Sequence, residues 1–298
     1  MISTPATHET AFQLMRQRRF WANMSLGVLL VAMGLVLGVC SSCQSVPDDP
    51  FAERPLKPSD QESYSQLVAE GGKLFETQPR NEERLRASVA KFDEAMKLST
   101  LEYETLWQGA RSCSWLAAYA AKQADKIAFA KAGIKYAQTA LKVKPDATEG
   151  LFYLAVLSGY LADNDHSYGM DAVNVIEANC KKLIEANLDI AKGGAHRMYG
   201  TLLLRAPGPP TSIGSLRNAK KQLEAALNKA PDWPENHLYV AEMEFEWAKD
   251  RNKPEFAKQA RERLDKYLLG PGAQAPQGHA FEFTDWQAKA RVLLDANK

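Results

Sequence analysis

The stretch GAHRMYGTLLLRAPGPPTSIGSLRNAKKQLEAALNKAPDWPENHLYVAEMEFEW, residues 194–247, decides how the whole chain is read. Two amphipathic helices stand out in it, broken by a segment too rich in Gly and Pro to be helical. The second helix carries Ala219, Leu223 and Ala226 on one face, with Pro231 just past its end. Small residues on such a face let two helices approach closely, and the proline stops the second helix. The first helix offers Tyr199, Gly200 and Leu203 to meet that face. Gly200 and Ala219 stand 19 positions apart, about seven more than a compact helical hairpin repeat uses. The surplus falls within residues 205–215, where Pro207, Pro209 and Pro210 stiffen the turn.

The same period runs outward in both directions, and strand-like alternation is absent. Helices are expected over 63–76 and 82–98, 101–121 and 125–143, 148–162 and 170–190, 194–205 and 214–229, 234–249 and 254–269, with a closing helix over 281–296. Second helices end in similar phrases that begin at Ala95, Ala140, Ala186 and Ala226, spaced 45, 46 and 40 residues apart. A tetratricopeptide (TPR) array repeats about every 34 residues. The expectation is an all-α domain over residues 61–298. It consists of TPR-like helical-hairpin repeats, about five pairs plus a C-terminal helix, in a compact superhelical bundle.

Residues 1–43 read as a targeting segment. Arg16, Arg18 and Arg19 precede an uncharged run over 24–39, and Cys40 and Cys43 follow. That is the order of a secretory signal. Ser41-Ser42-Cys43 fits the end of a bacterial lipoprotein signal and makes Cys43 the expected lipidation site; Cys40, preceded by the bulky Val39, fits less well. An uncleaved N-terminal membrane helix is the alternative. Residues 44–60 hold Pro47, Pro50, Pro55 and Pro58, the composition of a semi-rigid tether. Either way the body is expected outside the cytoplasm, held to a membrane.

Charge excludes one class of partner. With 37 Lys and Arg against 36 Asp and Glu, there is no basic surplus to neutralise phosphates, so nucleic acid is not an expected partner. Cys113 and Cys180 sit in apolar helical patterns and read as buried thiols. His166, His196, His237 and His279 show no metal-ligand spacing. No nucleophile elbow, phosphate loop or dinucleotide fingerprint is present. The chain is therefore expected to hold no metal or cofactor and not to be an enzyme. Residues 163–169 resemble a calcium loop, but Tyr168 stands where the sharp turn needs Gly and Asn174 where a bidentate Glu is needed. Residues 151–157 are apolar all round and must be enclosed. Trp115 and Tyr119, set among small residues, suit either close helix packing or a lined cavity.

The 194–242 segment is similar to the TatT family, periplasmic lipoproteins associated with TRAP transporters. It shares that family's Gly-Ala-x-Arg-x-x-Gly helix, Ala-Pro-Gly-x-Pro loop and Ala-Leu-x-x-x-Pro ending. Membership implies a homotrimer with a cleft or pore in each subunit and docking of a periplasmic solute-binding protein. The implied cargo is a small, hydrophobic organic acid, carried by a protein lipid-anchored in the periplasm, with the outer membrane as the expected site. The competing expectation is a structural TPR scaffold that binds envelope proteins. For the ligand-binding reading the candidate residues are Arg205, Ser212, Ser215, Trp115, Leu151 and Tyr160. Arg205 offers a planar fork to a carboxylate, and Ser212 or Ser215 caps a helix whose first amides favour an anion. Trp115, Leu151 and Tyr160 would take the hydrocarbon part. The inserted loop then lies at the mouth of the opening, or else bridges subunits of the trimer.

Overall fold

Ten helices pair into five consecutive hairpins because their apolar surfaces can be covered only by a neighbour. In the computed structural model, which describes residues 49–298, they are α1 Gln61–Glu76 with α2 Glu82–Leu98, α3 Tyr103–Tyr119 with α4 Gln123–Val143, and α5 Thr148–Asn164 with α6 Gly169–Glu185. Next come α7 Gly194–Arg205 with α8 Leu216–Lys229, and α9 Pro234–Arg251 with α10 Pro254–Leu264. A π-helical turn, Asp265–Leu269, extends α10, and α11 Ala280–Asp295 ends the fold. The described residues are thus all-helical hairpin repeats in a compact bundle, as the sequence predicts. Among them no helix is long and apolar enough to cross a membrane. The targeting segment 1–43, Cys43 and the first residues of the tether lie outside the described residues.

Residues 51–54 of the proline-rich segment rest on the body. Phe51 meets Tyr136 edge-on at 5.2 Å, and the Thr100 amide donates to the Arg54 carbonyl at 3.0 Å.

The close approach expected of the fourth hairpin is present. A Cβ at Gly200 would lie 2.7 Å from Leu223 Cγ, and Ala219, Leu223 and Ala226 are fully buried. Ala226 also lies against Gly193, where a Cβ would come within 2.8 Å of the Ala226 carbonyl oxygen. Ala226→Leu is therefore expected to destabilise the fold by roughly 1–3 kcal/mol through overpacking. An unchanged midpoint in chemical denaturation would show that the hairpin has room to spare.

One boundary differs from the periodicity. α6 was expected to reach residue 190 but stops at Glu185, because Asn187 takes a left-handed conformation with φ 53°. The Leu188 amide then bonds the Leu183 carbonyl and the Asn187 amide that of Ile184, both at 3.0 Å. This is the Schellman cap that glycine usually makes. Cys113 and Cys180 are buried and unbridged, as expected, and burial pushes the Cys180 thiol up to about 12.

The last helix returns to the first hairpins. Arg80, between α1 and α2, donates from Nη1 to Glu282 Oε1 of α11 at 2.7 Å, across 202 positions of chain. Arg80 also bonds the Phe75 and Gly278 carbonyls, at 3.1 and 3.2 Å. Phe281 of α11 packs on Trp115 and Tyr119 of α3, at 5.0 and 5.2 Å between ring centres. A row of hairpins with both ends open thereby becomes a closed ring.

Candidate binding cavity

Closing the ring leaves a cavity of about 640 Å³ on its concave side. The first helices of the hairpins, chiefly α3, α5, α7 and α9 with the end of α1, supply most of its wall, and α6, α11 and the connecting segments the rest. This accounts for the apolar 151–157 stretch of α5. Leu157 joins the core under α3 and α4, Phe152 joins a second core beside α6, and Tyr153, Val156 and Tyr160 face the cavity. Three environments consume three faces, so no polar face remains.

The wall is aromatic with ion pairs set into it. Tyr119, Tyr160 and Tyr239 line it, and burial holds all three phenols above their ordinary range. Arg197 Nη2 pairs with Glu235 at 2.8 Å, while its Nη1 donates to Asn236 Oδ1 at 2.7 Å and to the Ala191 and Lys192 carbonyls. Those two residues are left-handed, with φ 50° and 58°, a conformation costly for side-chain-bearing residues. The guanidinium thus secures a strained turn in the cavity wall.

The cavity brings together three of the predicted ligand residues, Trp115, Tyr160 and Arg205. Leu151 is not in its wall but in the core beside α6. Ser215 caps α8, accepting from the Asn218 amide at 3.3 Å, and neither it nor Ser212 lines the cavity. The inserted loop folds back on its own ends: the Gly214 amide bonds the Pro207 carbonyl and the Ser215 amide that of Leu203, both at 2.8 Å. A Cβ at Gly214 would fall 2.0 Å from the Ala206 carbonyl oxygen, so only glycine closes this loop. Of the loop, Arg205 and Ala206 alone reach the wall. Arg205 is itself engaged, donating to both Glu242 oxygens at 3.0 and 2.8 Å. Burial opposes its charge, and the Glu242 carboxylate more than offsets that, so its pKa is raised.

Sequence reasoning passed over the cation with donors to spare. Arg111, one turn before Trp115 on α3, lines the cavity. It lies over the rings of Phe75 and Trp107, at 4.0 and 5.1 Å. Its one carboxylate partner, Glu76 at 2.8 Å, is 61% exposed, and Arg111 Nε is buried without a partner. The repeat register held the signal: Arg111, Ser114, Trp115 and Ala118 all fall on the concave face of a first helix. The 163–169 turn is the polar turn the sequence suggests, with Asp165 accepting from the Ser167 amide at 3.2 Å. His196 meets Gln222 across the hairpin at 2.8 Å.

Fold and cavity together define a class, a ring of TPR-like hairpins around an aromatic, ion-paired cleft. A family model described as regulator of microtubule dynamics protein 1-3 matches residues 67–167, from within α1 through the whole of α5. No curated protein matches the chain. The match overturns the expected TatT membership and its TRAP transporter assignment. The TatT resemblance rested on residues 194–242, outside the matched segment. What that stretch carries, small residues at a helix crossing and a Gly-Pro turn, is what any closely packed helical hairpin needs.

Proposed function

We propose that the chain is a non-enzymatic binding protein that takes a small, largely apolar molecule with an acidic group into the concave cavity. The observation that carries this reading is the aromatic wall with Arg111 in it, a cation whose protein partners leave donors unused. Cavities of this size suit a small organic molecule: apolar walls supply affinity and a few polar groups fix orientation. Arg111 takes the role first expected of Arg205, since a carboxylate at Arg205 has to compete with Glu242 for the same fork. Trp115, Tyr153 and Tyr160 receive the hydrocarbon part. A second reading, a scaffold that binds a protein on the same concave face, draws on the description of the matched family.

The test is calorimetric titration of the full chain with decanoate, together with native mass spectrometry of the purified protein for a co-purifying small molecule. Arg111→Ala is expected to weaken decanoate binding about tenfold, the loss of one charged hydrogen bond, while Arg205→Ala changes it less. No binding by the parent chain and no retained small molecule would turn the choice to the scaffold.

A further inference from the structure

We propose that the cavity also recognises an organic ammonium group, seated against Glu282 and walled by Trp115, Trp233, His279 and Trp286. The inference rests on the cavity being a ligand site and adds the chemistry of one end of that ligand. Glu282 lies in the wall with only 9% of its side chain exposed. Its Oε1 accepts from Arg80 Nη1 at 2.7 Å and from Trp115 Nε1 at 3.0 Å. Its Oε2 is buried and accepts nothing. His279 Nδ1 stands 3.9 Å away, beyond hydrogen-bond range. A buried carboxylate oxygen with unused lone pairs costs free energy that a donor arriving from the cavity removes.

The surroundings favour a positive donor. Burial lowers the His279 pKa, so the ring stays neutral and does not supply the missing charge. Among the charges acting on this ring are the carboxylates of Glu282, Glu235 and Glu76, each paired with an arginine of the cavity wall, and the Arg80 cation. Aromatic rings complete the enclosure. Trp233 stands 5.0 Å from His279 and 5.6 Å from Trp286, while Trp115 borders Glu282 through its indole hydrogen bond. Indole faces attract ammonium groups, more strongly where water is excluded. Arg111 precedes Trp115 by four residues of α3, about 6 Å along the helix, so an anion at Arg111 and an ammonium at Glu282 fit on one small zwitterionic molecule.

Three probes of one shape decide it by calorimetry on the full chain: phenethylammonium, neutral 2-phenylethanol and anionic 3-phenylpropanoate. Phenethylammonium is expected to bind about tenfold tighter than 2-phenylethanol. Glu282→Gln keeps an acceptor for Trp115 but removes the charge, and should erase that difference. Trp233→Leu leaves the Arg80 contact in place and should weaken phenethylammonium several-fold with little effect on 3-phenylpropanoate. Equal affinity of the parent chain for phenethylammonium and 2-phenylethanol overturns the ammonium site and leaves the cavity reading standing. If none of the three binds while decanoate does, the ammonium site falls alone; if decanoate fails too and no small molecule co-purifies, both fall.

Discussion

Arg80→Ala is expected to cost about 3–5 kcal/mol of stability, the usual penalty for stranding one member of a buried ion pair. For a domain of this length that lowers the thermal midpoint by roughly 10 °C. Arg80 and Glu282 expose 7% and 9% of their side chains, so after the substitution the carboxylate keeps only the Trp115 indole as a donor. The Phe75 and Gly278 carbonyls lose a partner as well. The double change Arg80→Met with Glu282→Leu should recover most of the loss, because neither charge is then left buried alone. A cycle in which the double variant is as unstable as the sum of the singles would show that the pair is not the unit that closes the ring. Hydrogen exchange should accelerate first in α11, whose remaining ties to the opening hairpins run through Trp115 and Tyr119 of α3.

Acid is expected to destabilise the fold through His237. This residue is 3% exposed and stacks on Tyr267 with 3.4 Å between ring centres. Its Nε2 meets the Pro231 carbonyl at 2.6 Å and must be the protonated nitrogen, since a carbonyl only accepts. Its Nδ1 then accepts from Arg263 Nη1 at 3.2 Å, and Arg263 is held by both oxygens of the buried Glu244. A second proton on the ring would face that guanidinium. Burial, with Arg263 assisting, lowers the pKa to about 4, against about 6.5 for an unfolded chain. Between those two values the unfolded state binds the extra proton and the folded state does not. The contribution is therefore complete above pH ~6.5 and lost as pH falls toward 4, with a full span of roughly 3 kcal/mol. Denaturation at stepped pH checks the sign: the parent should lose stability over that window and His237→Gln should lose less. Equal slopes would assign the acid sensitivity elsewhere, His279 being a second histidine whose pKa burial lowers.

How far the sequence carries depends on the range of the interaction concerned. Helical hairpins are local, and the 3.6-residue period places all of them. Gly200 and Ala226 are legible for the same reason, since a small residue at a crossing has one simple cause. Asn187 was not, because an asparagine inside a helical pattern does not announce a left-handed cap as glycine does. Among site residues, Trp115 and Tyr160 could be picked out as aromatics on apolar helices. Arg205 was picked out by position, yet its partner Glu242 lies 37 positions away on another hairpin. Glu282 carries no local signal at all, since its meaning depends on a contact with Arg80 that only the closed ring creates. The TatT reading failed at a related point: it weighed one hairpin heavily, and the family match falls on other hairpins.

The contact between Arg80 and Glu282 also fixes an order of events during synthesis. About 200 residues must be translated after Arg80 before Glu282 emerges, which takes roughly 10–40 s at ordinary elongation rates. Through that interval the first hairpins can pair, but Arg80 has no carboxylate, and Trp115 has neither Glu282 nor Phe281 to cover it. The nascent protein thus exposes an aromatic surface with an uncompensated cation beside it until α11 has been translated. Chains that stop short of α11 keep that surface permanently, which makes them the natural targets of chaperones and proteases.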